Sequence, residues 1–350
     1  MNSKRQPVQA TAVAAAEDSD QRDVRDAFAS EVRSDVSVSA MRLTFDSLTR
    51  LLNTRLPPLA AHHERVVYTT ESTATLDVLV PVGKGPHPVL VYLHGGAWVA
   101  GSPASHRKLT ARFAETGFLV LSVDYRLAPE HPFPNGLHDC LAAVEWAAAN
   151  AHRYGGDPRR LTLGGDSAGG NLAAATAIEL GRRRGSPKLS ALALIYGVFD
   201  LRDMGSASAN RSIHRAYLPD SAGDLLDDPR VSPIHDAAAL PPSFIVVGRQ
   251  DPLLQQSQRL RDVLAAAGTD HRYVEAAGMP HGFMQMEFLG GVRRLIRDMA
   301  AFLHEQQPAG RKPRGWLKDG WLKGSGSKGP WTTRLRSWIR RRFPGPGTTP

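Results

Sequence analysis

The pattern with the most definite chemistry in this chain is Gly165-Asp-Ser-Ala-Gly169, a serine with glycines two residues to either side. A hydroxyl is a poor nucleophile until it is held clear of its neighbours and a positioned base takes its proton. The apolar residues before Ser167 read as a short strand over 160–164, and the Ala/Leu-rich run after it reads as a helix over 168–182. Ser167 therefore stands where a strand turns sharply into a helix, a nucleophile elbow. Gly165 and Gly169 suit such a turn, because the two backbones pass close together and a β-carbon would clash. The helix start adds a positive field, and the N–H of Ala168 points to where an oxyanion would form.

A serine of this kind needs a base, and the base needs a buried acid to hold one tautomer. In open parallel sheets such groups lie at the carboxyl ends of strands. The strand-like run 244–247 leads into Asp251, and 271–275 leads into His281, giving the chain order Ser, Asp, His. His131, His138, His214, His235, His271 and His304 fall in helices, strands or loops with no strand end behind them, and Asp262 and Asp270 fall in or after the next helix. The strand 89–93 runs into His94-Gly-Gly-Ala-Trp98, whose paired glycines leave the N–H groups of Gly95 and Gly96 free to face a cavity. Gly95, Gly96 and Ala168 are thus the expected oxyanion hole. His94 and Asp166 read as structural hydrogen-bonding groups, and Asp124-Tyr-Arg-Leu-Ala-Pro-Glu130 as a loop pinned by its charges.

The elements that must position these residues follow from hydrophobic periodicity. Alternating segments at 65–69 and 74–80 precede continuous apolar runs at 89–93, 118–123, 160–164, 191–195 and 244–247, with 271–275 last. Helical patterns at 105–115, 137–153, 168–182, 254–267 and 288–304 separate most of them. Continuous apolar strands alternating with helices imply a mainly parallel sheet covered on both faces, opened by two antiparallel strands. Eight strands in this order make an α/β-hydrolase-like architecture the natural reading.

The chain has 350 residues, 42% of them hydrophobic, enough for one large α/β domain. Its single cysteine, Cys140, excludes an internal disulfide framework and lies in a helical pattern as a small buried residue. The formal net charge of +9 is local: eleven of the 43 basic residues but one of the 34 acidic residues fall in 306–350, so the remainder, 32 against 33, is nearly neutral. Nucleic acid is therefore disfavoured as a partner of the body. Residues 1–25 read as a disordered N-terminus without a signal peptide, and no apolar run spans a bilayer, so a cytoplasmic protein is expected.

Together, His94-Gly-Gly-Ala-Trp98, Asp124-Tyr-Arg-Leu-Ala-Pro-Glu-His-Pro-Phe-Pro134, Gly165-Asp-Ser-Ala-Gly-Gly170, Asp251-Pro-Leu253 and His281-Gly-Phe283 resemble the hormone-sensitive-lipase-type carboxylesterases of the α/β-hydrolase fold. The resemblance covers about residues 60–305. It implies a serine esterase for short-to-medium acyl esters, no cofactor and no metal, a catalytic domain at 59–305, and a helical cap built from 26–58 and an insertion at about 201–228. Three positions depart from the usual pattern. Ala97 replaces a third oxyanion-loop glycine, Gln255-Gln256 replace acids beyond Asp251, and Gly197 replaces a proline after the sixth strand.

Amide hydrolysis (deacetylation) or acyl transfer would use the same triad, and a non-catalytic ligand-binding protein could stand on the same scaffold. An intact His281 speaks against the last. The tail 306–350 holds four of the six tryptophans, a repeated Gly-Trp-Leu-Lys and a Gly/Ser run. It reads as disordered, with Trp331, Leu335, Trp338 and Ile339 at helical spacing among arginines, a pattern suited to weak contact with an anionic membrane surface.

Overall fold

The computed structural model describes residues 38–45, 47, 51–204, 208–218 and 222–308. The expected disordered stretch 1–25 and all but the first three residues of the tail at 306–350 lie outside the described residues.

Eight strands form one sheet in the order β1-β2-β4-β3-β5-β6-β7-β8. They are β1 (Ala61–Val67), β2 (Thr75–Val80), β3 (His87–Leu93), β4 (Leu119–Asp124), β5 (Gly156–Asp166), β6 (Leu189–Ile195), β7 (Ser243–Gly248) and β8 (His271–Ala276). β2 pairs antiparallel with both β1 and β4, and all other pairs are parallel. The mostly parallel sheet with an antiparallel start is therefore as expected from the periodicity.

Period-two alternation sends Val89, Val91 and Leu93 of β3 to one face and Leu90 and Tyr92 to the other, all fully buried. Both faces are covered, which is why these strands read as unbroken apolar runs. On the first face α3 (Asn135–Asn150), α4 (Ala168–Arg182) and α6 (Leu254–Ala266) contribute Leu137, Leu172 and Leu260 to the core. On the second, α2 (Arg107–Glu115) and α7 (Val292–Glu305) contribute Phe113, Ile296 and Phe302. Cys140 is buried in α3, and burial raises its thiol well above its ordinary value.

Some boundaries differ from the sequence reading. β5 begins at Gly156 rather than 160, because Gly156 pairs with His87 across a register shift that apolar periodicity does not show. α7 begins at Val292 rather than 288, because Gly291 takes a left-handed conformation and delays the helix. α2 begins at Arg107 rather than 105.

Among the described residues, helical segments also precede the sheet and fall between β6 and β7. The helical segment α1 (38–45) places Arg42 so that it donates to Val99 O (2.7 Å), Ala128 O (3.0 Å) and both oxygens of Glu130. Between β6 and β7 come 3-10 turns at Leu201–Met204 and Ala222–Asp227 and helix α5 (Ser208–Tyr217). Among the described residues no helix is long and apolar enough to cross a membrane.

Candidate active site

β5 ends at Asp166 and α4 starts at Ala168, so Ser167 is the single residue of the turn. Its backbone sits at φ 54, a left-handed value that costs a non-glycine residue roughly 1–3 kcal/mol and recurs at functional sites. A β-carbon on Gly169 would stand 2.0 Å from Leu93 O, and one on Gly165 would stand 2.4 Å from Gly169 O. The elbow glycines thus let strand, helix and the end of β3 meet, which brings the oxyanion loop up to the serine.

The structure brings Ser167, His281 and Asp251 into one hydrogen-bonded chain. His281 Nε2 lies 2.9 Å from Ser167 Oγ, and His281 Nδ1 lies 2.9 Å from Asp251 Oδ2. The Asp251 side chain is fully buried, and its Oδ1 accepts the N–H of Leu253 at 2.8 Å. With Nδ1–H donated to Asp251, Nε2 is the nitrogen left to accept from the serine hydroxyl. Asp251 follows β7 and His281 follows β8, so each comes from the carboxyl end of a strand. Tyr196, just past β6, packs its ring 4.9 Å from the His281 ring.

The oxyanion loop requires a correction. Gly95 was expected to aim its N–H at the oxyanion, but that N–H donates to Asp166 Oδ1 at 3.0 Å and is taken. The backbone N–H groups of Gly96, Ala97 and Ala168 have no acceptor among the described residues. Gly96 and Ala168 therefore stay candidates, and Ala97, read from the sequence only as a wall, becomes one. Gly96 holds φ +134, and a β-carbon there would lie 2.0 Å from Ala100 O, so this position admits only glycine.

Beneath the loop is a buried polar cluster. Asp166 accepts from Tyr92 OH (2.8 Å), Gly95 N–H (3.0 Å) and His106 Nε2 (3.2 Å). Burial works against its charge, yet the neighbouring His106 and the Tyr92 hydroxyl hold the carboxyl below its ordinary range. His94 stacks on Tyr125 at 4.3 Å, and Tyr125 OH donates to His94 O at 2.7 Å. Burial, reinforced by the charge of His106, lowers the His94 ring to about 3, so it is neutral at pH 7. Tyr92 and His106 were not picked out from the sequence. Tyr92 reads as one more apolar strand residue, and His106 lies in a loop with no motif around it.

Two departures from the family pattern acquire a physical account. Gln256 is buried, and its Oε1 accepts the N–H groups of Phe199 (2.7 Å) and Asp200 (2.9 Å), so a neutral amide braces the loop after β6. A β-carbon at Gly197 would already stand 2.7 Å from the Phe199 ring. The loop 124–134 is pinned by Arg126 on Asp139 (2.8 Å) and by Arg42 on Glu130. Beside the oxyanion loop, Trp98 stacks on Tyr217 of α5 at 4.4 Å.

The one metal-like grouping among the described residues is His62, Glu64 and Asp77. Its two carboxylates approach different ring nitrogens, Asp77 at 3.1 Å from Nε2 and Glu64 at 3.6 Å from Nδ1, and Arg107 pairs with Glu64 at 2.7 Å. That is an ion-pair network rather than convergent ligation.

Residues 90–285 match a family described as alpha/beta hydrolase fold. The chain is 39% identical over 234 residues to the carboxylic ester hydrolase LipN of Mycobacterium tuberculosis, a match covering 60% of this chain and 61% of that protein. It is 34% identical over 221 residues to the carboxylesterase NlhH of the same species, covering 58% and 69%. It is 34% identical over 236 residues to an acetyl-hydrolase of Streptomyces hygroscopicus, covering 64% and 77%. Among solved structures, a Pyrobaculum calidifontis esterase superposes with a TM-score of 0.70 at 30% identity, covering 76% of this chain and 92% of that one. The metagenomic carboxylesterase EstE1 gives 0.71 at 30% identity, covering 78% and 98%.

Proposed function

The chain belongs to the alpha/beta-hydrolase fold family, in its hormone-sensitive-lipase-type carboxylesterase group, and from that premise we propose that it is a serine carboxylesterase. The observation that carries the proposal is the unbroken Ser167–His281–Asp251 chain, with two 2.9 Å links, beside three unoccupied N–H donors.

In this reading Ser167 Oγ attacks the ester carbonyl carbon while His281 Nε2 takes the hydroxyl proton. Asp251 keeps the imidazole in the right tautomer and stabilises the imidazolium that forms. The tetrahedral oxyanion receives the N–H groups of Gly96, Ala97 and Ala168, donors already in place before charge develops. On collapse His281 returns its proton to the leaving alcohol. Water, deprotonated by the same nitrogen, then splits the acyl-enzyme and releases a carboxylic acid. No step calls on a metal or cofactor.

The acyl group is short to medium. The Trp98–Tyr217 stack places two large rings beside the oxyanion loop, and an acetyl-hydrolase stands among the relatives. We assign the cap to the described residues within 26–58 and 201–228. A cytoplasmic location suits a chain with one buried cysteine, and the basic tail 306–350 gives weak contact with anionic membranes. A panel of p-nitrophenyl esters from acetyl to palmitoyl tests the reading. Turnover over KM should peak between acetyl and hexanoyl, and a maximum at long chains would overturn it. Vesicle sedimentation at low salt, with and without residues 309–350, tests the tail.

A further inference from the structure

A cavity of about 740 Å³ opens between the chain at 51–55, α2 and the segment that follows His281, and none of its lining residues belongs to the triad or the oxyanion loop. This is within the roughly 300–1,000 Å³ of small-molecule sites. Its apolar lining comes from Leu51, Leu52 and Phe288. Leu51 is 67% exposed and Phe288 68%, which leaves large apolar surface facing solvent across a concave site.

The rest of the lining is mostly cationic. Arg55, Lys108, Arg112 and Arg293 belong to it, with Glu287 as the one acid in the lining. Glu287 is shared by Lys108 (2.8 Å), Arg112 (2.7 Å) and Arg293 (3.4 Å), and Arg112 also reaches Glu115 at 2.9 Å. Arg55 has no acidic partner among the described residues and sits at φ 56, a strained conformation for an arginine. Gln285, another lining residue, adds an independent sign: its Nε2 is buried and donates to no acceptor among the described residues. A buried amide donor without a partner is unfavourable unless something in the cavity accepts from it.

Excess positive charge, an unused donor and apolar lining residues complement a single molecule with an anionic head and an apolar tail. The concave shape suits one chain rather than the flat face of a bilayer. We infer that this groove binds a medium-chain carboxylic acid, its carboxylate among Arg55, Arg293 and Gln285 and its chain along Leu51 and Phe288. The choice of a carboxylate head rests on the proposed esterase reading, in which a carboxylic acid is the product. The groove is then a product or effector site separate from Ser167.

The test is calorimetric titration of the full chain with sodium octanoate, using 1-octanol as the uncharged control. Ser167 is first blocked with a diethylphosphoryl group, and the intact mass verifies the block. Octanoate should bind the blocked protein at one saturable site, and octanol at least tenfold more weakly. The double variant Arg55→Gln/Arg293→Gln and the single variant Phe288→Ser should each raise the octanoate Kd tenfold or more while keeping wild-type turnover on an acetyl ester. Absence of saturable binding, equal binding of octanol, undiminished binding by both variants, or binding only to phosphatidylglycerol vesicles would each overturn the inference. Failure of the serine to take the phosphoryl group would count against the esterase reading instead, and the same titration of the unblocked chain and its variants would still decide the groove.

Discussion

Asp166 is where the nucleophile elbow and the oxyanion loop are tied together, and Asp166→Ala should damage both stability and turnover. Three donors converge on this buried carboxylate: Tyr92 OH, Gly95 N–H and His106 Nε2, at 2.8, 3.0 and 3.2 Å. Hydrogen bonds to a charged acceptor contribute about 1.5–3 kcal/mol each, and orphaning a buried donor costs about 1–3. These costs overlap, so the net loss should be about 3–5 kcal/mol, the usual cost of breaking a buried charged pair. In a domain of this size that lowers Tm by roughly 8–15 °C and leaves the protein folded at 20 °C. Without its anchor the Gly95 peptide is free to rotate, and the N–H groups of Gly96 and Ala97 lose their aim. Misplacing one oxyanion donor costs about 10²–10³ in kcat. Asp166→Asn keeps the shape but turns an amide N–H₂ toward one of the three donors, so about a tenfold loss of kcat and a smaller drop in Tm should follow. The assay is p-nitrophenyl acetate hydrolysis at 20 °C, with circular dichroism confirming the fold and melting curves giving Tm. Wild-type kcat in Asp166→Ala, with only Tm lowered, would refute the link between this carboxylate and the oxyanion loop.

Gly96→Ala should lower kcat at least 10²-fold, because the new β-carbon meets Ala100 O at 2.0 Å and the φ of +134 cannot be kept; an active Gly96→Ala enzyme would remove Gly96 from the donor set. Ser167→Ala, His281→Ala and Asp251→Ala should each cost roughly four to six orders of magnitude in kcat, with Asp251 mildest and the double variants little worse than the single ones; additive losses would mean the three do not act as a unit. His94 gives a pH signature. Burial and the charge of His106 depress its folded pKa from 6.5 to about 3, so the unfolded chain binds a proton in this window that the folded chain refuses. That part of the stability is fully present above pH 6.5 and is lost as pH falls toward 3. Relative to His94→Asn, the wild type should therefore lose about 1.4 kcal/mol of unfolding free energy per pH unit between pH 6 and 4. Parallel curves in urea titrations would show that His94 is not the proton site.

The residues that meet in the candidate site were legible in the sequence where their position depends on local pattern. Apolar runs with a chemically loaded residue at the carboxyl end point to Ser167, Asp251 and His281, and the hydrogen-bond chain joins those three. Gly95 was misread because its fate is non-local. Its N–H is captured by a carboxylate 71 residues later in the chain, and nothing in a glycine pair says which of the two will be captured. Ala97 was missed as a donor for the related reason that a backbone N–H leaves no mark on the side-chain alphabet. Tyr92 and His106 are ordinary residues in an apolar strand and a polar loop until the fold sets them against Asp166. The same holds for the cavity beside α2, where residues from 51–55, 108–112 and 285–293 assemble without any shared motif.

The most direct test of the central claim is the intact mass of the protein quenched in acid within milliseconds of mixing with p-nitrophenyl acetate. The account requires a transient increase of one acetyl group, mapped by peptide digestion to Ser167, formed in step with a burst of p-nitrophenolate and absent from Ser167→Ala. Ester hydrolysis without an acyl-enzyme, or an acetyl group that persists in Ser167→Ala with turnover unchanged, would contradict it.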